Sequence, residues 1–254
     1  MATKVIDISY AQKNVDFAKV KAAGIDGVII RAGVTGWGSA HSMEKDAQFE
    51  NHYKGAKAAG LHVGCYYFSG ALSEEFAVKE ANFFLSIIKG KAFDLPVYVD
   101  IEEEHSTTNM PALGKTKLTN VVYRWCETVE KAGYFTGFYT AKSWATSYLD
   151  MQKLSRFTFW LAHYTSKTSY SGAYAMWQYS DAGTVPGISG KVDMDLCYQD
   201  FPPVITTAGL NGYPKPDDGR RYTLTITPLT KANADRLVKV LADINFYGKV
   251  TEVQ

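Results

Sequence analysis

Alternation of strand-like and helix-like segments is the feature that most constrains the fold of this chain of 254 residues. Eight strands and five helices, mostly alternating, predict a closed parallel barrel of the (β/α)8 kind. Because no helix is predicted after the one that follows the fifth strand, we expect an irregular, TIM-like (β/α)5β3 barrel of the α/β class. The predicted strands are 4–9, 27–33, 62–69, 95–102, 135–140, 158–164, 175–180 and 192–197, and the predicted helices are 16–24, 45–60, 73–90, 115–133 and 143–149.

The fourth predicted strand, residues 95–102 (LPVYVDIE), ends in two carboxylates set two positions apart. Side chains alternate between the faces of a strand, so Tyr98, Asp100 and Glu102 share one face. The other face is aliphatic, which predicts a strand between a helical layer and a polar cavity. The charge on one carboxylate makes a neighbouring one harder to ionise, so two neighbouring carboxyl groups can act as an acid and a base. An acidic loop after a strand is the plain alternative.

Acids also lie on the first and eighth predicted strands. In a closed barrel these strands are neighbours, so we expect Asp7 and Asp193 to lie side by side. Together with Asp100 and Glu102 they would form one acidic pocket at the carboxyl ends of the strands, where the active sites of such barrels lie. Each acid alone has a simpler explanation as a turn cap or a loop acid.

Composition excludes several classes of function. The net charge is +1, from 27 basic and 26 acidic residues, which gives no electrostatic case for binding nucleic acid or an anionic membrane. No apolar run reaches ~18 residues, so no membrane insertion is expected. The first residues lack the apolar core of a signal peptide, which favours synthesis in the cytoplasm. The spacing of His and Cys predicts buried free thiols, no metal site and no cofactor.

Seven motifs, in order, carry a resemblance to a known family. They are residues 5–9 (VIDIS), 64–68 (GCYYF), 96–102 (PVYVDIE), 137–140 (GFYT), 159–164 (FWLAHY), 177–180 (WQYS) and 187–193 (GISGKVD). Over about residues 4–201 the chain resembles the glycoside hydrolases of family 25, the N-acetylmuramidase lysozymes of bacteria and their phages. The resemblance implies an incomplete barrel and cleavage of the β-1,4 bond between N-acetylmuramic acid and N-acetylglucosamine in peptidoglycan.

The resemblance also implies roles for individual residues. By motif position, Glu102 matches the general acid, Asp100 its partner acid, and Asp7 and Asp193 the other two carboxylates of the pocket. Asp195 stands where the family more often has Asn, so its extra charge would alter the titration of the pocket. The residues expected to line the bound sugar are Tyr66, Tyr139, Trp160, Tyr164, Trp177 and Asp195, although each aromatic could equally belong to the core.

Spacing bears on the mechanism. On a regular strand the α-carbons of Asp100 and Glu102 lie roughly 6.5–7 Å apart, which disfavours Asp100 as a direct nucleophile. We therefore expect the 2-acetamido group of the substrate to assist hydrolysis, with Glu102 protonating the leaving oxygen and Asp100 orienting that group. Two other functions stay open: a chitinase-like glycosidase and a non-catalytic protein that binds the cell wall.

Domain organisation follows from composition. The catalytic barrel is predicted over 1–205, a polar linker over 206–219, and a small βαβ domain over 220–254. Two copies of that domain would complete a four-stranded sheet, so a homodimer is expected, with docking on the barrel and wall binding as the alternatives. The expected partner is peptidoglycan, and the enzyme would act on the bacterial cell wall as an endolysin, released through membrane holes formed by a holin or exported otherwise.

Overall fold

The computed structural model describes residues 2–36, 42–102 and 109–215, so the predicted domain at 220–254 lies outside the described residues. The strands are β1 (Thr3–Ile8), β2 (Gly27–Thr35), β3 (Met43–Lys45), β4 (His62–Phe68), β5 (Val97–Asp100), β6 (Thr136–Ala141), β7 (Thr158–Ala162), β8 (Met176–Gly183) and β9 (Val192–Cys197). The helices are α1 (Phe17–Ala22), α2 (Phe49–Ala58), α3 (Glu74–Ile88), α4 (Gly114–Lys131), α5 (Lys142–Ser147) and α6 (Phe201–Ala208), with a 3-10 turn at Met110–Leu113. No helix in this part of the chain is long and apolar enough to cross a membrane.

Eight of these strands close into a barrel, which confirms the predicted fold class. Strands β1, β2, β4, β5, β6, β7 and β8 run parallel to their neighbours in that order. The short strand β3 pairs with the end of β2 at the rim and was not predicted. The prediction of an all-parallel barrel is wrong for β9, which runs antiparallel to both β8 and β1. The connection 184–191 is too short for a crossover, since parallel strands need about a dozen linking residues or more.

Two apolar cores flank the wall of the barrel. An outer core lies between the strands and the helices and contains Val97, Val99 and Ile101 of the β5 region. An inner core fills the barrel and contains Tyr98 and Trp160, whose ring centroids lie 5.3 Å apart. The β5 segment therefore has the aliphatic and inner faces that its alternating sequence predicts.

The base of the barrel is closed by helix α6 and by Asn211, which the sequence assigned to a linker. Phe201 and Ile205 of α6 are fully buried in the inner core. Asn211, also fully buried, accepts a hydrogen bond from Phe135 N at 2.6 Å and donates one to Leu95 O at 3.0 Å. A linker starting at 206 is therefore wrong, because its polar residues satisfy backbone groups of the barrel. The chain belongs to the barrel unit up to Lys215, the last described residue.

Candidate active site

The β5 region positions Asp100 and Glu102 at the carboxyl end of the barrel. Asp100 is buried and pairs with Phe68 of β4 and Tyr139 of β6. Beyond it, Ile101 N donates to Tyr139 O at 3.0 Å, and Thr140 Oγ1 donates to Ile101 O at 2.7 Å. These bonds hold the backbone up to Glu102, which is half-buried. Because alternate residues share a face, both carboxylates lie on the inner side of the wall.

Asp7 and Asp193 lie directly opposite one another on β1 and β9. Their pairing confirms that the first and last strands of the barrel are neighbours. Asp193 stands at the start of its strand, so in a parallel barrel it would lie at the opposite end from Asp7. The antiparallel direction of β9 brings it to the carboxyl ends of the other strands. We call this open end, with Asp7, Asp100, Glu102 and Asp193, the mouth.

A chain of hydrogen bonds runs beneath the mouth. Tyr139 OH donates to Gln178 Oε1 at 2.8 Å, and Gln178 Nε2 donates to Asp7 Oδ2 at 2.8 Å. Deeper in the barrel, Trp160 Nε1 donates to Asp195 Oδ1 at 2.8 Å. All five of these residues, Asp7 included, are at most 5% exposed. Water is therefore excluded from the side chains that hold Asp7 in place.

Two carboxyl groups of this region titrate abnormally. Burial raises the pKa of Asp7 well above its usual range, and the charges of Asp193 and Asp195 raise it further. Burial likewise raises the pKa of Asp195, against the hydrogen bond from Trp160, which lowers it. Both groups therefore hold protons more tightly than exposed aspartates do, as expected for carboxylates that crowd one another away from water.

The predicted sugar-lining aromatics fall into three sets. Tyr164, 52% exposed, stands at the mouth, where its pKa is raised by burial and by Asp193 and Glu102. Tyr66 and Tyr139 lie deeper, almost buried but close to the acids.

The two tryptophans are not at the mouth. Trp160 is 1% exposed and packs against the rings of Tyr66, Tyr98 and Tyr139, so it forms the floor under the acids rather than a sugar-contacting wall. Trp177 lies in the outer core and donates to His163 O at 2.9 Å. The side chains of β8 alternate, so Gln178 faces inward and Trp177 faces outward. The expectation that these two tryptophans line the sugar is therefore wrong.

Two residues near the mouth were missed from the sequence. One is Gln178, described above. The other is Arg31, on β2, whose Nε donates to Asp46 Oδ2 at 2.8 Å and whose guanidinium lies 4.8 Å from the ring centroid of Tyr10. Arg31 is 8% exposed, and its charge opposes the rise that burial causes in the pKa of Tyr66. The sequence signal that could have identified it is a single arginine within the apolar run 28–34 (VIIRAGV).

The donor groups of the described ranges, 2–36, 42–102 and 109–215, form no cluster suited to a metal ion. Cys65, Cys126 and Cys197 are buried free thiols, as their apolar surroundings in the sequence indicated.

Sequence comparison identifies the family. The profile described as Glycosyl hydrolases family 25 matches residues 6–188, which is more than half of the chain. The chain belongs to glycosyl hydrolase family 25. The match ends before Asp193, which in this family 25 protein the antiparallel strand β9 places beside Asp7 at the mouth.

Individual relatives agree with this family 25 assignment. An autolytic lysozyme of Clostridium acetobutylicum is 30% identical over 197 residues, which cover 76% of this chain and 55% of that protein. The crystal structure of the CTP1L endolysin has a TM-score of 0.67 at 28% identity, covering 80% of this chain and 68% of that one. The autolysin LytC from Streptococcus pneumoniae, in complex with a synthetic peptidoglycan ligand, has a TM-score of 0.68 at 26% identity, covering 78% of this chain and 47% of LytC. The chain thus spans little more than half of the Clostridium lysozyme and about half of LytC.

Proposed function

We propose that this protein is an N-acetylmuramidase that hydrolyses the β-1,4 bond between N-acetylmuramic acid and N-acetylglucosamine in bacterial peptidoglycan. One observation carries the proposal: Asp100 and Glu102 project from the end of β5 into a mouth that also holds Asp7 and Asp193, in a family 25 chain. The resemblance to a lysozyme and to an autolysin bound to a peptidoglycan ligand supports the choice of substrate.

Glu102 is proposed as the general acid. It stands furthest toward the opening of the two β5 acids and is only half-buried, so a glycosidic oxygen can reach it. Asp100, by contrast, is 4% exposed and lies one pleat deeper in the wall. Glycoside hydrolysis uses one carboxyl group to donate a proton and a second, negatively charged one to assist at the sugar. Glu102 at the opening and Asp100 beneath it are placed for these two roles.

Asp100 is proposed to act on the 2-acetamido group of the sugar rather than on its anomeric carbon. Its buried position places it behind Glu102, where its negative charge would stabilise the cation that forms as the acetamido oxygen attacks. This route retains the anomeric configuration, whereas direct attack by water inverts it. NMR of the first-formed anomer during hydrolysis of a soluble glycan separates the two routes: a retained anomer is expected, and an inverted one would contradict assistance.

Mass spectrometry of digested peptidoglycan tests the activity. New reducing ends of N-acetylmuramic acid are expected, and Glu102→Gln should lower their rate of formation by about 10²–10⁴, the usual worth of a general acid. The matched control is Glu130→Gln near the end of α4, whose carboxylate binds Arg156 on the far side of the barrel from the mouth. The control should cleave at the normal rate.

Other products would point to the competing functions. Reducing ends of N-acetylglucosamine would indicate a chitinase-like or glucosaminidase specificity. Binding to cell walls without any new reducing end, unchanged by Glu102→Gln, would indicate a non-catalytic protein. A Glu102→Gln variant that kept most of its turnover would assign the proton donor to another residue.

The biological setting and the oligomeric state are also proposals. The endolysin and autolysin relatives favour a bacteriolytic protein that acts on the cell wall, either released from an infected cell or exported. Residues 220–254 are proposed to form a homodimer, since a lone βαβ unit leaves strand edges able to pair with a second copy. A monomeric wall-binding unit is the alternative.

A further inference from the structure

Asp195 occupies an unusual position for a carboxylate. It is completely buried and pairs with Val5 of β1 on one side and Gln178 of β8 on the other. Its Oδ1 accepts the hydrogen bond of Trp160. Its Oδ2 is equally buried, yet no amide or hydroxyl group of the described residues donates to it. A buried carboxylate oxygen without a donor is costly, so the surroundings of this atom need an explanation.

The group that approaches Asp195 is another carboxyl. Asp7 is the diagonal neighbour of Asp195 across the β1–β9 pair, on the same inner face and within reach of its side chain. The two carboxyl groups lie within hydrogen-bonding reach of each other. Two carboxylates cannot hydrogen-bond unless one of them carries a proton. Such a proton would satisfy Asp195 Oδ2.

We propose that Asp195 is a positioning residue that holds one proton jointly with Asp7. The shared proton completes an unbroken chain of hydrogen bonds through Trp160, Asp195, Asp7, Gln178 and Tyr139. The existence of this proton does not depend on the proposed function, whereas its effect on catalysis rests on the muramidase activity.

The charges around the chain favour the shared proton. The charged groups that face the chain are Asp193 on β9, Asp100 and Glu102 at the end of β5, and Arg31 on β2, whose Nε is bound to Asp46. Negative charge therefore predominates, which disfavours a second negative charge on the pair. The neighbouring phenols and thiol, all with a pKa raised by burial, are Tyr66, Tyr98, Tyr139, Tyr164, Tyr179 and Cys197.

The shared proton has consequences for charge and for geometry. The pair carries one negative charge instead of two, the same charge that Asp7 would carry beside an asparagine. The chain also fixes Gln178, which orients the hydroxyl of Tyr139 near Glu102 and Asp100. When the proton leaves at alkaline pH, two buried carboxylates repel each other and this chain breaks. Activity should therefore fall on the alkaline side as the pair ionises.

Carbon-13 NMR of the side-chain carboxyl groups tests the proton directly on the full chain, without substrate. In the unaltered protein, one proton should stay on the pair across the pH range in which exposed aspartates ionise. In Asp195→Asn the amide can donate to Asp7 and still accept from Trp160, so the pKa of Asp7 should fall below its value in the unaltered protein, although burial and Asp193 still raise it. In Asp7→Asn the same reasoning applies to Asp195. The control is Asp150→Asn, an exposed cap whose loss should leave the titration of the pair unchanged.

Activity against pH tests the positioning role. In Asp195→Asn the loss of activity on the alkaline side should begin at a pH higher by about one unit or more. The reason is that no second ionisation remains to break the chain of hydrogen bonds. Independent ionisation of Asp7 and Asp195 in the ordinary range would overturn the shared proton, whatever the enzyme's activity. A shared proton in the NMR titration with an unmoved alkaline limb would overturn the positioning role. Absence of any muramidase activity would overturn the proposed function and leave the NMR result standing.

Discussion

Burial decides how Asp100 can act. Its side chain is 4% exposed, and its backbone carbonyl accepts a hydrogen bond from Ser69 N at 3.0 Å. Burial thus restrains the side chain, and this hydrogen bond restrains the backbone. A fixed charge in a site with little water stabilises a developing cation without reorganising, which is where electrostatic catalysis is strongest. The role proposed for Asp100 follows from this rigidity.

Asp100→Asn should lower the turnover of a soluble peptidoglycan fragment by about 10²–10³ and change KM little. The reason is that the amide keeps the shape of the side chain but loses the charge that stabilises the acetamido-derived cation. Steady-state kinetics measures the effect, with thermal unfolding to show that the barrel is intact. Near-normal turnover by this variant would count against stabilisation of the acetamido group by Asp100.

At the scale of elements, helix α3 is tied to the end of β4 by one buried acid. Glu80 is fully buried on α3 and accepts hydrogen bonds from Ser69 Oγ at 2.5 Å and Gly70 N at 2.9 Å. Ser69 in turn donates its N–H to Asp100 O. The helix therefore supports the turn that holds the backbone of a proposed catalytic residue. Burial raises the pKa of Glu80 from 4.5 to about 7, against the hydrogen bonds that lower it.

This pKa makes the stability of the barrel depend on pH. A carboxyl group with a raised pKa binds its proton more tightly in the folded state, so its contribution is complete below about pH 4.5 and is lost as the pH rises to about 7. The loss amounts to about 3 kcal/mol. In the unaltered protein, the free energy of unfolding should therefore fall by about 2–3 kcal/mol between about pH 4.5 and about pH 8. In Glu80→Gln this fall should be absent. Urea titrations at the two pH values measure it, and an equally steep fall in the variant would contradict the assignment to Glu80.

At the scale of the whole molecule, the chain segment after the last strand completes the barrel. Ile205 fills its base, and Asn211 satisfies the backbone of two strand-entry segments, at Leu95 and Phe135. Tyr213 OH donates to the Asp94 carboxylate, which also binds Lys57 at 2.9 Å. The barrel unit therefore needs these residues, although they lie far in sequence from most of what they contact.

Two shortened chains test this view. A chain ending at Lys215 should unfold with nearly the stability of the catalytic unit in the full chain. A chain ending at Val204 should lose about 5 kcal/mol or more, from the lost burial of Ile205 and the unsatisfied partners of Asn211. Such a loss is comparable to the whole stability of a typical domain. Equal stability of the two shortened chains would contradict a structural role for residues 205–215.

The same chains test the proposed dimer. Light scattering should give a dimer for the full chain and a monomer for the chain ending at Lys215. If both are monomers and only the full chain sediments with cell walls, residues 220–254 bind the wall instead.

The sequence by itself determined what depends on near neighbours along the chain. The alternation of Val97, Tyr98, Val99 and Asp100 settles which face each side chain takes, because the period of a strand is local. The order of strands and helices, and the set of motifs typical of family 25, likewise follow from contiguous segments. These features were enough to predict the class of the fold and the acids of β5.

The tertiary structure decided what depends on partners distant in sequence. The direction of β9, which brings Asp193 to the mouth, follows from its antiparallel pairing with β1. Trp160, Arg31 and Asn211 have roles set by residues outside their own segments. Their partners are the carboxylate of Asp195, the carboxylate of Asp46, and the backbone of Leu95 and Phe135. A buried polar group needs a partner, but the sequence does not state which one, since the closure of the barrel makes that choice.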